Sequence, residues 1–476
     1  MIDLSRIEAY RENNRIEAKK ALGGLPHSIW ETYSAFANTL GGVILLGVEE
    51  HRDHTLHPVN LPDPAGMAEE FWDILNDPQR VSVNILTREN LRVETVDGGR
   101  LLVITVPRAQ RYDRPVYVGG NPISGTYRRS GEGDYRCSPE EVRSMLRDAA
   151  VRTQDMQLLP QMGPEVLDPD SIRRYRARMR DCRPGHVWET LEDAAFLEQL
   201  GAAGRDKDGT LHPTAGGLLM FGYEAEIVRE FPLYFLDYRE QLGDDARWTD
   251  RIASAAGEWS GNLYDFYFLV CDQMSAGLPF HGAGGVQIRS ALREALANTL
   301  INADYYGRQG VVVIRRRDRI SFSNPGAFRI RIEAARSGGV SDPRNAALSR
   351  MFSLVSVGER SGSGIPNIYA VWKRQGLAPP SISEHFAPER TTLTLPLQAA
   401  GSPRGGRGGA PHAGRQVARQ LIIEYLTDHP CAKTADIAAD IGRTPAGTRA
   451  CLRELMAEGI VTARGGGRSR VYALKA

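Results

Sequence analysis

Between Glu12 and Glu50 the chain sets acids and a lysine where a metal ion or a phosphate could sit: Glu12, then Glu17 and Lys19, then Glu49 and Glu50. In Arg15 to Lys20 the apolar Ile16 and Ala18 alternate with charged residues. A strand here would bury that pair and present Glu17 and Lys19 side by side. Val43 to Val48 is an unbroken apolar run ended by two acids, the pattern of a buried central strand that delivers Glu49 to its edge. Ser28 to Leu40 has helical spacing, and Gly41-Gly42 supplies the turn into that strand. A second polar set lies far downstream. Glu294, Asn298 and Asn302 recur every four residues on one face of a helix, while Ala291, Leu292, Leu296 and Leu300 cover its other faces.

The first set belongs to an ordered series: Glu12, then Glu17-Ala18-Lys19, then Ala35-Phe36-Ala37-Asn38-Thr39-Leu40-Gly41-Gly42, then Gly47-Val48-Glu49. It resembles the Schlafen domain, also called the AlbA-type or divergent AAA domain of bacterial regulators. Ala18 stands where that signature has Phe, and Glu49 where it has Asp. The resemblance extends to about residue 150 through Val103 to Arg108, Arg114 to Tyr117, Gly125 to Arg129 and the helix start Ser138-Pro139-Glu140-Glu141. It implies an α+β nucleic-acid-binding domain. RNA-cutting relatives imply more: Glu12, Glu17 and Glu49 would hold a divalent metal ion that activates water, with Lys19 stabilising the developing charge. The plainer reading makes Glu17 and Lys19 a solvated strand-surface pair and lets Glu49 and Glu50 end a strand.

Length and composition frame the rest. At 476 residues the chain is too long for one core, and a length prior suggests about three domains. Lys plus Arg (59) balances Asp plus Glu (58), so only local charge can point to a partner. Five scattered cysteines lack metal-ligand spacing and argue against zinc and against a secreted disulfide framework. No apolar run approaches membrane-spanning length. The expectation is a cytoplasmic protein with no membrane partner.

Within residues 1–150, Arg108, Arg111, Arg114, Arg128, Arg129 and Arg136 interleave with Tyr112, Tyr117, Tyr127 and Tyr135. The stretch reads as a nucleic-acid surface, or as hairpin-edge arginines that block edge pairing. Residues 151–285 read as a connecting region. It has helices from Asp168 to Leu200, strands at Thr214 to Gly222 and Phe231 to Leu236, and an amphipathic helix at Leu263 to Met274.

Residues 286–400 carry the second set. Arg293 to Asn298 through Asp304-Tyr305-Tyr306 resembles the N-box of the GHKL family of ATP-binding domains, in its divergent RecG-like branch fused to Schlafen-type domains. The resemblance implies a Bergerat-type α/β sandwich, with Glu294 aligning the attacking water and Asn298 on Mg²⁺, an ion that takes oxygen ligands and nucleotide phosphates. The hairpin Val311 to Phe322 ends in Ser323-Asn324-Pro325-Gly326, where ordinary members have Asp-x-Gly-x-Gly. Asn324 and Gly326 would thus border the nucleotide. Gly358 to Ile365, with Gly362 and Gly364 leading a helix, resembles the glycine box that approaches phosphate.

Residues 401–414, rich in Gly, Arg and Pro, form a linker that cannot build a core. Residues 415–476 then give three helices and a hairpin with Gly465-Gly466-Gly467 at its turn. That is the plan of a winged helix-turn-helix. Arg443, Thr448 and Arg449 would lie at the groove-facing end of the third helix, and Arg464, Arg468 and Arg470 along the wing. The whole reads as an α/β multidomain DNA-binding transcriptional regulator with an ATP and Mg²⁺ switch, able to form a homo-oligomer on symmetric sites. The alternative is a metal-dependent Schlafen-type nuclease acting on structured RNA or single strands in stress or phage defence.

Overall fold

The computed structural model describes residues 15–51, 53, 55–96, 98–243, 248–358, 362–386, 388–399, 419, 422–423, 425–426, 431–440, 445–457, 460–464 and 470–474. The chain divides into two compact units, one of residues 1–149 with 410–476 and one of residues 150–409.

In the first segment, β1 (Ile16–Lys19), β2 (Gly42–Leu46), β5 (Leu91–Val96) and β6 (Gly99–Val106) form a sheet of order β1-β2-β6-β5. β3 (Val48–Glu50) and β4 (Leu56–Pro58) make a separate ribbon. Alternation along β2 and β6 splits the core in two. Ile44, Leu46, Leu102 and Ile104 pack with Trp30, Tyr33 and Phe36 of α1 (Ile29–Asn38) and Phe71 of α2 (Pro64–Leu75). Leu45, Leu101 and Val103 pack on the other side with Ile16, Ala18, Val48 and Leu56. The apolar run from Val43 to Val48 is therefore not one strand. Gly47, at φ +86°, breaks it, because a β-carbon there would lie 2.7 Å from the Leu61 side chain. The segment closes with a short turn α3 (Pro122–Gly125), the hairpin of β7 (Tyr127–Ser130) and β8 (Gly133–Arg136), and α4 (Pro139–Ala149).

The unit of residues 150–409 holds one continuous hydrophobic core. It begins with α5 (Pro169–Cys182), whose first amides are capped by the Asp168 carboxylate, and α6 (Asp193–Leu200). After the ribbon of β9 (Ala203–Arg205) and β10 (Leu211–Pro213) come α7 (Ala215–Phe221) and α8 (Glu224–Glu230). Thr214 to Gly222, expected as a strand, is thus mostly helix. The Thr214 hydroxyl accepts from the Gly217 amide, and Gly217 packs so closely that a β-carbon would meet the Ala202 carbonyl. The strand expected at Phe231 to Leu236 begins only at Leu236.

β11 (Leu236–Gln241) and β12 (Asp250–Ala253) precede α9 (Leu263–Ser275) and α10 (Gly282–Ile301). β13 (Val311–Arg316), β14 (Arg319–Pro325), α11 (Ile332–Ser337), α12 (Ala346–Leu354), α13 (Gly364–Arg374), β15 (Ser381–Phe386) and β16 (Glu389–Pro396) follow. The sheet order is β12-β11-β13-β14-β16-β15, with β11 parallel to β13 in the register Leu236 to Val311. The division expected between residues 285 and 286 is corrected by that pairing. Residues 151–285 contribute two strands and much of the core of the same sheet, so they are more than a connector.

In the C-terminal segment β17 (Ala432–Lys433), α14 (Thr434–Asp440), α15 (Pro445–Ala457), β18 (Val461–Arg464) and β19 (Val471–Leu474) surround a small core. Ile422, Leu426, Ile437, Leu452, Leu455, Val461 and Tyr472 build it. The strand order is β17-β19-β18.

Candidate functional site

β1 pairs parallel with β2, setting Glu17 beside Ile44. Glu17 therefore faces the side of the sheet covered by α1, and the solvated surface expected for it is corrected to a buried one. A buried carboxylate requires cations. Lys19 Nζ stands 2.6 Å from Oε1, and Arg129 Nη1 lies 2.8 Å from Oε2 at an angle poor for a hydrogen bond. Arg129, itself buried, also donates to Asp134 Oδ1 at 3.0 Å and to the Ile16 carbonyl at 3.2 Å, and lies over the Phe36 ring at 5.2 Å. Thr32 Oγ1 donates to the other Asp134 oxygen at 2.6 Å.

The Ala-Phe-Ala-Asn-Thr-x-Gly-Gly run is what holds this arrangement. Asn38 Nδ2 donates to the Val116 and Tyr127 carbonyls at 2.7 and 3.0 Å, and its Oδ1 accepts from the Val116 amide at 2.9 Å. Thr39 Oγ1 accepts from the Arg129 amide at 3.0 Å. Gly42 leaves room for the Phe36 ring, which a β-carbon would approach to 2.6 Å. The motif's small and amide residues thus dock β7 against α1 and deliver Arg129 to Glu17. Sequence reasoning missed this partner.

Glu49 is on β3, where the Lys20 ammonium at 2.9 Å holds its carboxyl below the usual range. Glu12 lies outside the described residues. Among the described residues no group of three or more His, Cys, Asp or Glu side chains is placed to hold a metal ion. Glu17, with two cations on its carboxylate, does not fit a divalent metal site as placed.

The expected arginine surface is corrected in the same way. Arg111 and Arg114 are buried, and Arg111 Nη1 donates to the Asp148 carbonyl at 2.6 Å. Arg129 is buried in the cluster above. Arg128 Nε meets Glu141 at 2.9 Å, tying β7 to α4.

At the second set, α10 presents its polar ladder as expected. Asn298 Nδ2 donates to Glu294 Oε1 at 3.1 Å, and Asn302 Nδ2 donates to the Asn298 carbonyl at 2.9 Å. Gly364, first residue of α13, sits against this pair: a β-carbon there would lie 2.2 Å from Glu294 Oε1 and 3.0 Å from Asn298 Nδ2. The glycine box and the N-box therefore meet. Gly362, at φ +68°, is packed on the Val340 backbone. Asn324 and Gly326 do other work. The buried Asn324 amide donates to the Asn302 and Pro325 carbonyls at 3.4 and 3.0 Å. Gly326, at φ +94°, lies under the Arg344 guanidinium, which donates to the Ala327 carbonyl at 2.8 Å. Both residues brace a turn.

On α15, Arg449 and Arg453 are exposed while Cys451, Leu452 and Leu455 are buried. Thr448 joins the buried side, one turn before Leu452, and its hydroxyl has no hydrogen-bond partner among the described residues, so its expected groove-facing position is corrected. Arg470 is exposed, with its guanidinium 5.5 Å from the Tyr472 ring centroid. Arg443 and Arg468 lie outside the described residues. No helix among the described residues is long and apolar enough to cross a membrane.

Four family profiles match the chain. Residues 12–138 match the Schlafen, AlbA_2 family, and residues 143–237 match a domain family of unknown function. Residues 309–395 match the family described as "Putative ATP-dependent DNA helicase recG C-terminal". Residues 418–462 match a winged helix-turn-helix DNA-binding family. The chain is therefore a multidomain α/β protein built on a Schlafen AlbA_2 domain. More narrowly, it joins that domain to a RecG-C-terminal-like segment and a winged helix, the RecG-related arrangement expected from the sequence.

Among solved structures, the DIP2311 protein from Corynebacterium diphtheriae is 17% identical, with 97% of this chain and 95% of that one covered at a TM-score of 0.39. The N-terminal domain of a RecG-related protein from Nitrosomonas europaea, titled a putative ATP-dependent DNA helicase, is 32% identical. That match covers 29% of this chain and 94% of the other at a TM-score of 0.23. Both superpose loosely, and the family profiles carry the assignment. No curated protein matches the chain.

Proposed function

We propose that this chain is a DNA-binding regulator whose winged helix supplies the sequence-reading contact and whose 150–409 unit responds to nucleotide. The observation that carries the reading is the division of α15, with Arg449 and Arg453 outward and Leu452 and Leu455 inward, in a segment that matches a winged helix-turn-helix family. A helix so divided can enter a groove while its inner side stays in the core. Arg470, just before β19, adds a backbone contact of the kind that gives affinity without base choice.

Glu294, Asn298 and Gly364 would hold the phosphates and Mg²⁺ of a nucleotide. When bound, the ion would neutralise phosphate charge, and the chain's own part is to align Asn298 through Glu294 and to seat the start of α13 against that pair at Gly364. Fluorescence anisotropy with labelled duplex DNA tests the reading. Arg449→Ala weakens binding and lowers the salt slope by about one, and ATP with Mg²⁺ changes the affinity of the intact protein for DNA. Calorimetry showing no uptake of ATP with Mg²⁺ would remove the nucleotide part. A nuclease reading has less support, because Lys19 and Arg129 already occupy the Glu17 carboxylate.

A further inference from the structure

β5 is an outer strand of the Schlafen-type sheet, paired on one side with β6 and, among the described residues, with no strand on the other. Edge strands of soluble domains are commonly blunted by Lys, Pro, a bulge or a covering loop. Leu91-Arg92-Val93-Glu94-Thr95-Val96 has no Lys, Pro or Gly, its register with β6 is unbroken, and Val93, Thr95 and Val96 are β-branched. Val93 is 47% exposed, and Arg92 and Thr95 are exposed as well.

Two hydrogen bonds fix how the backbone of this edge is turned. The Leu91 amide donates to the Arg88 carbonyl, so it points away from β6. The Arg100 carbonyl accepts from the Leu61 amide at 3.1 Å and so points away from β5, which turns the backbone of Thr95, its partner in the ladder, away from β6. By the same alternation the N–H and C=O of Val93 lie on the open side. Among the described residues no hydrogen bond reaches the Val93 or Thr95 backbone there. A second antiparallel β5 can meet these groups in three overlapping registers. With Val93 opposite Val93, Arg92 faces Glu94 of the other copy, twice by symmetry. Sliding by two residues either way sets Arg92 against Arg92 or Glu94 against Glu94. These are the strand's only charged residues, and they share one side of the sheet, 3.8 Å apart. Opposite charges directly across a strand pair attract and like charges repel, so the register centred on Val93 is selected. On the other side of the sheet it sets Val93 against Val93 and Leu91 beside Thr95. A strand that complements itself about its own midpoint is the requirement of a twofold interface.

We propose that β5 is a dimerisation edge, and that two copies of this chain join their Schlafen-type sheets through antiparallel β5 strands about a twofold axis at Val93. The Val93 and Thr95 amides then donate to the Val93 and Leu91 carbonyls of the second copy.

The test is sedimentation velocity of the full-length protein over a dilution series. The wild-type chain forms a reversible dimer, at twice 52.5 kDa. Arg92→Glu and Glu94→Arg each weaken dimerisation by about tenfold or more, because each turns two attractive pairs into two repulsive ones. The double variant, with both charges exchanged, dimerises like wild type, and an equimolar mixture of the two single variants forms a heterodimer in which every pair is again opposite in charge. Val93→Pro removes an amide that β6 does not use and also gives a monomer. A wild-type chain that is monomeric at every concentration, or a dimer that Arg92→Glu, Glu94→Arg and Val93→Pro leave unchanged, overturns the inference. Single variants that weaken the dimer but do not pair with each other overturn the register.

Discussion

Arg129→Met should loosen the Schlafen-type domain from inside, and the structure sets the size of the effect. The guanidinium is nearly inaccessible, at 1% side-chain exposure, and it serves two carboxylates that are themselves 7% and 13% exposed, Glu17 and Asp134. Removing one partner of a buried ion pair costs about 3–5 kcal/mol, because the remaining charge is left without compensation. Here Lys19 stays on Glu17 and Thr32 stays on Asp134, so the lower end applies, about 3 kcal/mol. That corresponds to roughly a hundredfold increase in the population of locally opened states. Hydrogen exchange of the amides of Ile16 to Lys19 and Tyr127 to Ser130 reads it directly. The double variant Glu17→Gln with Arg129→Met should recover more than half of the loss, since the orphaned charge is then gone. Exchange in Arg129→Met within about threefold of wild type, a difference below 1 kcal/mol, would refute the reasoning and return Glu17 to the candidates for a metal ligand.

Two further perturbations test other parts of the molecule. Gly364→Ala places a β-carbon against Glu294 and Asn298 and should cost about 1–3 kcal/mol in denaturant unfolding, with recovery when Glu294→Ala removes the nearer obstacle; an unaffected single variant means that α13 is not seated on α10. His212 is bonded through Nδ1 to the Met162 carbonyl at 2.8 Å and through Nε2 to Asp206 at 3.2 Å, and these acceptors raise its pKa above the ordinary 6.5. A raised folded pKa means stabilisation that is full below about 6.5 and lost as pH rises through the folded value. NMR titration of the ring should therefore give a pKa above 6.5, and a value at or below it contradicts the geometry.

Much of this was legible in local pattern. Alternation placed Ile16 and Ala18 in the core and Glu17 with Lys19 on one face. The four-residue period placed Glu294, Asn298 and Asn302 in one ladder, and the start signals at Asp168 and Pro445 matched real helices. What failed was long-range. That the face carrying Glu17 is covered depends on β7, more than a hundred residues away, and nothing in Arg128-Arg129 says which arginine turns inward. Thr214 to Gly222 misled because a short apolar run with glycines fits a buried strand or a buried helix equally. The capping Thr214 was the available signal. Thr448 misled for a related reason: its type suits a groove contact, but its position one turn before Leu452 puts it on the inner side of α15.

The placement of β11 also constrains how the protein can be made. Its parallel neighbour β13 begins 75 residues later, at Val311 against Leu236, and the antiparallel partner of β14 ends only at Pro396. During synthesis the first Schlafen-type sheet can close as soon as Val106 has left the ribosome. The larger sheet must wait, with β11 exposing an unpaired edge on a nascent chain that already carries Phe266, Val270 and Met274 in search of a core. A nascent chain whose residue 285 has just left the ribosome would therefore display an aggregation-prone intermediate, and chaperone capture should peak at that point and fall once β16 emerges.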